Sequence, residues 1–481
     1  MASKFALIGA GAFVAICSLF GKDVYVSSSS GDDKNDGSLS APLRTIAAAP
    51  KDGVNLFLKR GDVFFETLQD FSDSEIDAYG EGNAPLLCGL KILENDDAWV
   101  KLPNGIWRLD LSKQEDFGGY KAEGKTNNIG AIYFAKTDKV YGHLVRSFSD
   151  LSHVGDFWVS DNIWTSDVRA SKSQTFRYLY FKFDKNPADS RDKIGFITYS
   201  FGIRNLRNCT VRNVAVKGFG VHGVSKAWNC KFRNLDIDLI GGSVQLSYPQ
   251  WVRLGNGVEF WISAQDPCNG NLVENCRISR TYDCGATIQG HLGKKSRPQN
   301  IVFRKNRFLR CRQAFEHWTA TVHEKSVYEN CEFSDNIAFD SGFNEFDTPY
   351  TVDSSLLSYE RKPVEGLTIR NNIMWGAPAY FSSGGNGAEF EGNVFYIFKK
   401  TYIYGTREGK NCIPALSGAD VENAFKKLGN AGGKFILVDR TDSAAREKAI
   451  AEHFSSMKDR IAYFDKNRPR NAYQRELPVR K

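Results

Sequence analysis

The sequence predicts an all-β fold: a parallel β-helix solenoid with an inserted β-rich domain and a short helical C-terminal segment. Three observations predict it. First, a degenerate motif recurs: Asn208-Cys-Thr-Val211, Asn229-Cys-Lys-Phe232, Asn275-Cys-Arg-Ile278, Lys305-Asn-Arg-Phe308, Asn330-Cys-Glu-Phe333, Asn371-Asn-Ile-Met374 and Gly392-Asn-Val-Phe395. Its first and last spacings are 21 residues, too short for two helices and suited to one solenoid coil, with loops inserted where the spacing grows. Second, apolar and polar residues alternate with period 2 on either side of each Asn, and Asn tolerates the left-handed backbone of a corner. Third, 43 Gly, 34 Phe and 19 Tyr against 3 Met suit turns and aromatic-rich strands better than long helices.

Taken in order, residues 1–22 read as a secretory leader. Lys4 precedes an apolar run from Phe5 to Phe20, which is short for a membrane span. Val-Ala-Ile-Cys17 loosely resembles a lipoprotein box, and an uncleaved anchor is the other reading. No later segment approaches about 20 continuous apolar residues, so no transmembrane span is expected in the mature chain, which would be secreted or periplasmic. Residues 23–95 are expected to cap and begin the solenoid, 96–200 to form the inserted domain, 201–405 the main coils and 406–481 a helical cap and tail. Two helices are expected in that tail, one from Ala419 and one over 443–461 with Ser443 as N-cap.

Net charge is +7, from 63 basic and 56 acidic residues. From residue 411 onward there are 14 basic and 9 acidic residues, so most of the excess lies in the tail. The remainder is too balanced for nucleic acid to be the partner. Ten Cys are present. Cys209, Cys230, Cys276 and Cys331 follow the corner Asn and are read as small interior residues at one repeated position, not as disulfides. No Cys/His spacing fits zinc.

Asp23-Val-Tyr-Val-Ser, the loop Ser30-Gly-Asp-Asp-Lys-Asn-Asp-Gly-Ser38 and Ala41-Pro-Leu-Arg-Thr-Ile46 resemble the entry segment of secreted right-handed parallel β-helix proteins of the pectin-lyase-like class. Tyr79-Gly-Glu-Gly-Asn-Ala-Pro85, Gly89, Trp99 and Gly105-Ile-Trp107 are similar to segments of its carbohydrate-active members. The resemblance spans residues 23–405. It implies the handedness and a carbohydrate partner but leaves the reaction open, since this scaffold carries hydrolases, lyases, epimerases and adhesins.

A second strand follows each corner: Val221–Val224, Val258–Trp261, Ile288–His291, Phe315–Trp318 and Phe343–Phe346. Stacking each on its first apolar residue gives an outward column of His222, Glu259, Gln289, Glu316 and Asn344. A second column holds Val224, Trp261, His291, Trp318 and Phe346. Gln245 competes with Glu259 for its place. Glu259 and Glu316 would then be two coils apart, roughly 9–10 Å at the backbone, a separation suited to an acid and a base acting on a glycosidic bond. Asp283 is a closer partner for either and equally suits a turn. His222, His291 and His317 could bond sugar hydroxyls, although alternation turns His317 inward. Gln289 adds an amide, and Trp261 and Trp318 offer flat faces for sugar rings. Glu345, Asp347 and Asp353 read as rim carboxylates.

The first reading is therefore a glycoside hydrolase acting on a polysaccharide or oligosaccharide. A lyase or uronate epimerase is the second, kept alive by the cations of Gly290-His-Leu-Gly-Lys-Lys-Ser-Arg297, and a non-catalytic glycan-binding surface protein the third. No cofactor or metal is expected. Asp266, Glu259 and Asp283 could give Ca²⁺ oxygen ligands, but their spacing matches no loop rule. The sequence does not speak to oligomeric state.

Overall fold

The computed structural model describes residues 21–93, 98–113, 128–159, 178–190, 193–245, 252–293, 296–342, 346, 354–376, 379–382, 387–406, 412–439 and 444. Among these, three ten-stranded sheets run the length of the molecule. Each coil of the chain contributes one strand to each sheet. In the coil Thr210–Trp228, Thr210–Arg212 enters the first sheet, Ala215–Lys217 the second and His222–Trp228 the third. The next coil lies directly above, pairing in parallel at Lys231, Asp236 and Asn256. Among the described residues the architecture is a parallel β-helix, all-β apart from short helical turns and one 11-residue helix. No helix among the described residues is long and apolar enough to cross a membrane.

The coils stack because their inward residues stack. In the third sheet Val224, Val258, Ala286, Phe315, Leu356 and Tyr380 lie one above another, none more than 2% exposed. Burying each larger side chain contributes about 1.5–3 kcal/mol. A one-residue slip would turn the whole set to water.

The corners hold the register. Asn208, Asn213, Asn229, Asn234, Asn275, Asn300, Asn330 and Asn371 all have φ between 52° and 61°, the left-handed region that Asn tolerates. They belong to two corners. Asn208, Asn229 and Asn300 precede first-sheet strands, and Asn330 sits at the register break inside the first-sheet strand Ser326–Ser334; Asn213, Asn234, Asn275 and Asn371 precede second-sheet strands. The single repeated motif expected from sequence thus merges two corners with the same chemistry. Cys209, Cys230 and Cys331 follow the first corner, whereas Cys276 follows the second. All four are buried, and every described Cys is free.

The second corner carries an interior ladder. Asn306, Asn336, Asn372, Asn393 and Asn430 are at most 1% exposed. Each of Asn336, Asn372, Asn393 and Asn430 accepts, through its side-chain oxygen, the backbone N–H and the amide of the Asn below. Asn430 lies in the tail, and Lys434–Val438 after it pairs in parallel with Val394–Phe398. The tail therefore completes another coil, which the expectation of a purely helical segment from 406 had missed. One helix, α1 (Gly418–Leu428), is capped by Ser417 and lies against the end of the stack. The second expected helix lies outside the described residues apart from Ala444, and the leader outside them up to residue 20. Lys22, the last residue of the expected leader, begins the first strand.

Two four-stranded antiparallel sheets interrupt the coils between the strands Leu86–Cys88 and Phe201–Arg207. They begin at Leu90, earlier than the expected 96, since Leu90–Ile92 pairs with Gly195–Ile197. Trp107, Leu109, Phe157, Phe181 and Phe196 form their own core. A buried ionic cluster fixes them to the second sheet. Lys217 Nζ lies 2.8 Å from Tyr133 OH, and Arg280 pairs with Asp238 at 2.5 Å and Asp138 at 3.0 Å. Burial pushes the Lys217 ammonium down to about 8 despite Asp238.

Replacing Asn336 by Ala would leave the Asn306 N–H and the Phe303 carbonyl without their partners. It is expected to cost about 2–4 kcal/mol, read as a fall in denaturation midpoint. Asn330→Gly, at an exposed left-handed position, should cost only a few tenths of a kcal/mol (about 0.3).

Candidate functional site

Four neighbouring strands of the third sheet build the site: β1 (His222–Trp228), β2 (Asn256–Ile262), β3 (Cys284–His291) and β4 (Gln313–Ala320). Ser225, Glu259, Thr287 and Glu316 form one outward column. Trp261, Gln289 and Trp318 form the next. His222, expected below Glu259, stands instead below Asn256. Val224, expected in the outward aromatic column, faces the core because Val224 and not Val221 stacks on Val258. Glu259 and Glu316 do stand two coils apart, about 9.6 Å at the backbone from strand spacing. Between them is Thr287, not Gln289. Ile288 stacks on Phe260, and Ala286 is the residue above Val258. The expected register was two residues off in this strand because Ala286, after Gly285, is too small to read as a core position.

The top of the expected column also differs. The strand above β4 is Ser354–Ser358, with Leu357 over Glu316. Phe343–Phe346 is not that strand. Phe346 packs edge-on against Tyr282, while Asn344, Glu345, Asp347 and Asp353 lie outside the described residues. Gln245 bonds Val252 in a loop before β2, so Glu259 holds the place for which the two competed.

Glu259 is fixed by three neighbours. The Asn256 and Gln289 amides donate to Oε2 at 3.2 and 2.5 Å, and His222 Nε2 lies 3.3 Å from Oε1. Burial lowers the His222 pKa, which favours the neutral ring, with Nε2–H toward Glu259. Gln289 in turn accepts from the Trp318 indole at 2.8 Å, tying the aromatic column to the carboxylate. Trp261, His291 and Trp318 meet edge to face, with centroids 5.5–5.8 Å apart.

Glu316 lies deeper, 3% exposed, and accepts from the Cys284 thiol at 3.1 Å and the Thr287 hydroxyl at 3.3 Å. Asp283, at the start of β3, offers a carboxylate oxygen within 4.8 Å of both Glu316 and Cys284. Its side chain is 31% exposed, and Arg312 lies 4.0 Å away. Burial, then the Asp283 charge, pushes Glu316 up to about 8; burial raises Asp283 as well, against Arg312. Burial and their mutual repulsion both disfavour ionising the two carboxyls together.

His317 is not at this site. It points into the core, 1% exposed, beside Phe315 and Tyr328, with neither ring nitrogen hydrogen-bonded. Burial drives its pKa down to about 3; alternation behind Glu316 turns it away from the groove. Asp266 pairs with Arg207 at 2.6 Å, beyond the far end of β2 from Asp283, so it does not join Glu259 and Asp283 as an oxygen donor set for Ca²⁺. Arg297 reaches toward Glu329 at 3.8 Å, and Lys294 and Lys295 lie outside the described residues. Asn256, Cys284, Thr287 and Arg312 were not singled out from sequence. Asn256 was discoverable as the residue opening β2, but Gly285 breaks the alternation that would have turned Cys284 outward.

No model of a known protein family matches the chain, and no curated protein does. Among solved structures, the chain is similar to the complex of XylC with xylose, at TM-score 0.47 and 11% identity over 86% of this chain and 82% of that one. It is also similar to a structure described as a glycoside hydrolase, at TM-score 0.41 and 9% identity over 89% and 98% of the two chains. A third is the GH136 lacto-N-biosidase from Eubacterium ramulus, at TM-score 0.43 and 15% identity over 87% and 68%. At such identities the chemistry has to be argued from the side chains.

The raised Glu316 pKa has a consequence for stability. A carboxyl that titrates near its ordinary value when unfolded and at about 8 when folded binds more protons in the native state, so stability falls as pH rises through that window. Glu316→Gln should therefore raise the melting temperature at pH 7.5 by about 2–4 °C. The gain should vanish below about pH 4, where both states are protonated; melting curves across pH 4–8 measure it.

Proposed function

We propose that the protein is a glycoside hydrolase acting on an oligosaccharide or polysaccharide laid against the outer face of the third sheet. The observation that carries this reading is the pairing of two unlike carboxyl environments on adjacent coils. One is the proton-holding Asp283–Glu316 pair; the other is Glu259, held as an acceptor by Asn256, Gln289 and His222. Acid and base roles are separated by such differences.

In this mechanism a sugar ring packs on Trp261 and Trp318. Asp283, the more exposed member of its pair, gives its proton to the glycosidic oxygen as the C–O bond breaks. Glu316 behind it is the proton reserve. A water held by Glu259 loses its proton to that carboxylate and attacks the anomeric carbon, so the proton lost by the pair equals the one gained by Glu259. Glu259 and Asp283 come from adjacent coils, and a water held between a base and an acid on opposite sides of the anomeric carbon is the arrangement that leads to inversion. Among the described residues the cation beside these carboxyls is Arg312, which faces Asp283.

Reducing-sugar release over a panel of neutral glycans, without unsaturated-uronate absorbance, is the expected result. Unsaturated product would replace the reading with a lyase, and binding without product with an adhesin. Glu259→Gln and Asp283→Asn should each lower kcat by about 10³-fold or more with KM little changed. Activity should fall as pH rises through about 8, where the pair gives up its shared proton. In Glu316→Gln, Asp283 loses its partner charge and this basic limb should move to lower pH.

A further inference from the structure

The residue before Asp283 is held from three sides. Tyr282 is 2% exposed. The Arg253 guanidinium lies 4.4 Å from the centre of its ring, and Phe346 meets the ring edge at 5.8 Å and 87°. Below its Cβ the chain leaves no room: a side chain at Gly241 or Gly255 would lie 2.7 or 2.5 Å from that atom. The backbone is bonded on both sides, Tyr282 N to Ile240 O at 2.8 Å and Asp283 N to Gly255 O at 3.1 Å.

Two of these neighbours come from elsewhere. Arg253 is 4% exposed and donates to Gly242 O at 2.6 Å, and to Gly130 O at 2.7 Å and Gly142 O at 3.0 Å in the inserted sheets. Asn128, also in the insertion, exchanges two hydrogen bonds with Val244 in the loop before β2. Phe346 belongs to the loop that leads to Ser354–Ser358, two coils above Tyr282. It buries itself among Leu239, Tyr282 and the insertion's Ala131 and Tyr133.

We infer that Tyr282 is a positioning residue: the Arg253–Tyr282–Phe346 stack holds Asp283 against Glu316 and Cys284, and through it the inserted sheets set the geometry of the carboxyl pair. The inference rests on the hydrolase reading for its kinetic consequence, but not for its structural one. Among the described residues the insertion also meets the solenoid at Lys217 of the second sheet, at Val244 in the loop before β2, and at Gly220 and Val221 before β1. The stack is its route to a side chain in the groove. Around Asp283 the charged and titratable groups are Arg312, Cys284, Glu316, His222 and Glu259, and a shift of the backbone at 282 changes its distance to all of them together.

The test compares Tyr282→Leu, Tyr282→Phe and Phe346→Ala in the full chain. Tyr282→Leu should lower kcat by about 100-fold with KM within about 3-fold, and should displace the basic limb of the pH profile. Tyr282→Phe, which keeps the ring, should restore kcat to within about 3-fold. Phe346→Ala should behave like Tyr282→Leu. A readout independent of turnover is alkylation of Cys284 by iodoacetamide, followed by peptide mass spectrometry. Cys284 should react about 10-fold faster in Tyr282→Leu, while the buried Cys276 and Cys311 keep wild-type protection. Turnover by the wild type with kcat and Cys284 reactivity unmoved in Tyr282→Leu would overturn the inference. Equal loss of protection at Cys276 and Cys311 would also overturn it, by showing general loosening. If the wild type cleaves no glycan, the hydrolase reading fails, and the Cys284 rates alone decide the inference.

Discussion

The structure depends on parallel register between successive coils. Hydrogen bonds along a sheet permit any register, so the inward side chains and the corners must select one. The column from Val224 to Tyr380 does this on the third sheet. The Asn ladder does it at the second corner, where a slipped coil would strand both a backbone N–H and a buried amide. Fixing the inner column fixes the outer one. Glu259 lies above Ser225 and below Thr287 because Val258 lies above Val224 and below Ala286. The arrangement of the carboxyls is thus a by-product of core packing, set on the opposite face of the same strands.

How the site is charged follows from depth. Glu316 and Asp283 are close, and Glu316 is almost fully covered, so ionising both would place two negative charges in a poorly solvated space. Glu259 sits among amide donors on the next strand down but one. The difference between a proton donor and a proton acceptor is made by those neighbours, not by the carboxyl groups. The same burial that keeps a proton on Glu316 destabilises the fold at neutral pH, as expected where function and stability compete.

The fold was legible in the sequence because its signals are repeated. A corner Asn, an apolar residue two further on and a coil-length spacing recur often enough to survive inserted loops. Glu259 and Glu316 were legible as column partners because Val258 and Phe315, their inward neighbours, are large and apolar. Their relation to Asp283 was visible only as proximity in the chain. What lay hidden had local causes. Ala286 is too small to announce a core position, so Gln289 was set in the column of the carboxyls instead of that of the tryptophans. Two corners share one chemistry, so they read as one repeat. Phe346 looks like a strand residue, yet it packs against Tyr282, 64 positions earlier in the chain. Such a contact leaves no periodic trace. His317 was kept as a candidate sugar contact by its residue type although alternation turned it inward, and alternation prevailed.

The central claim is that Glu259 and the Asp283–Glu316 pair face a single bound sugar chain from adjacent coils. A crystal structure of Glu259→Gln soaked with a cleavable oligosaccharide tests it most directly. The account predicts a glycosidic oxygen within hydrogen-bond distance of the Asp283 carboxyl, with a sugar ring against Trp261 or Trp318. An oligosaccharide seated on either of the other two sheets, or on the inserted domain with this face left bare, would contradict it.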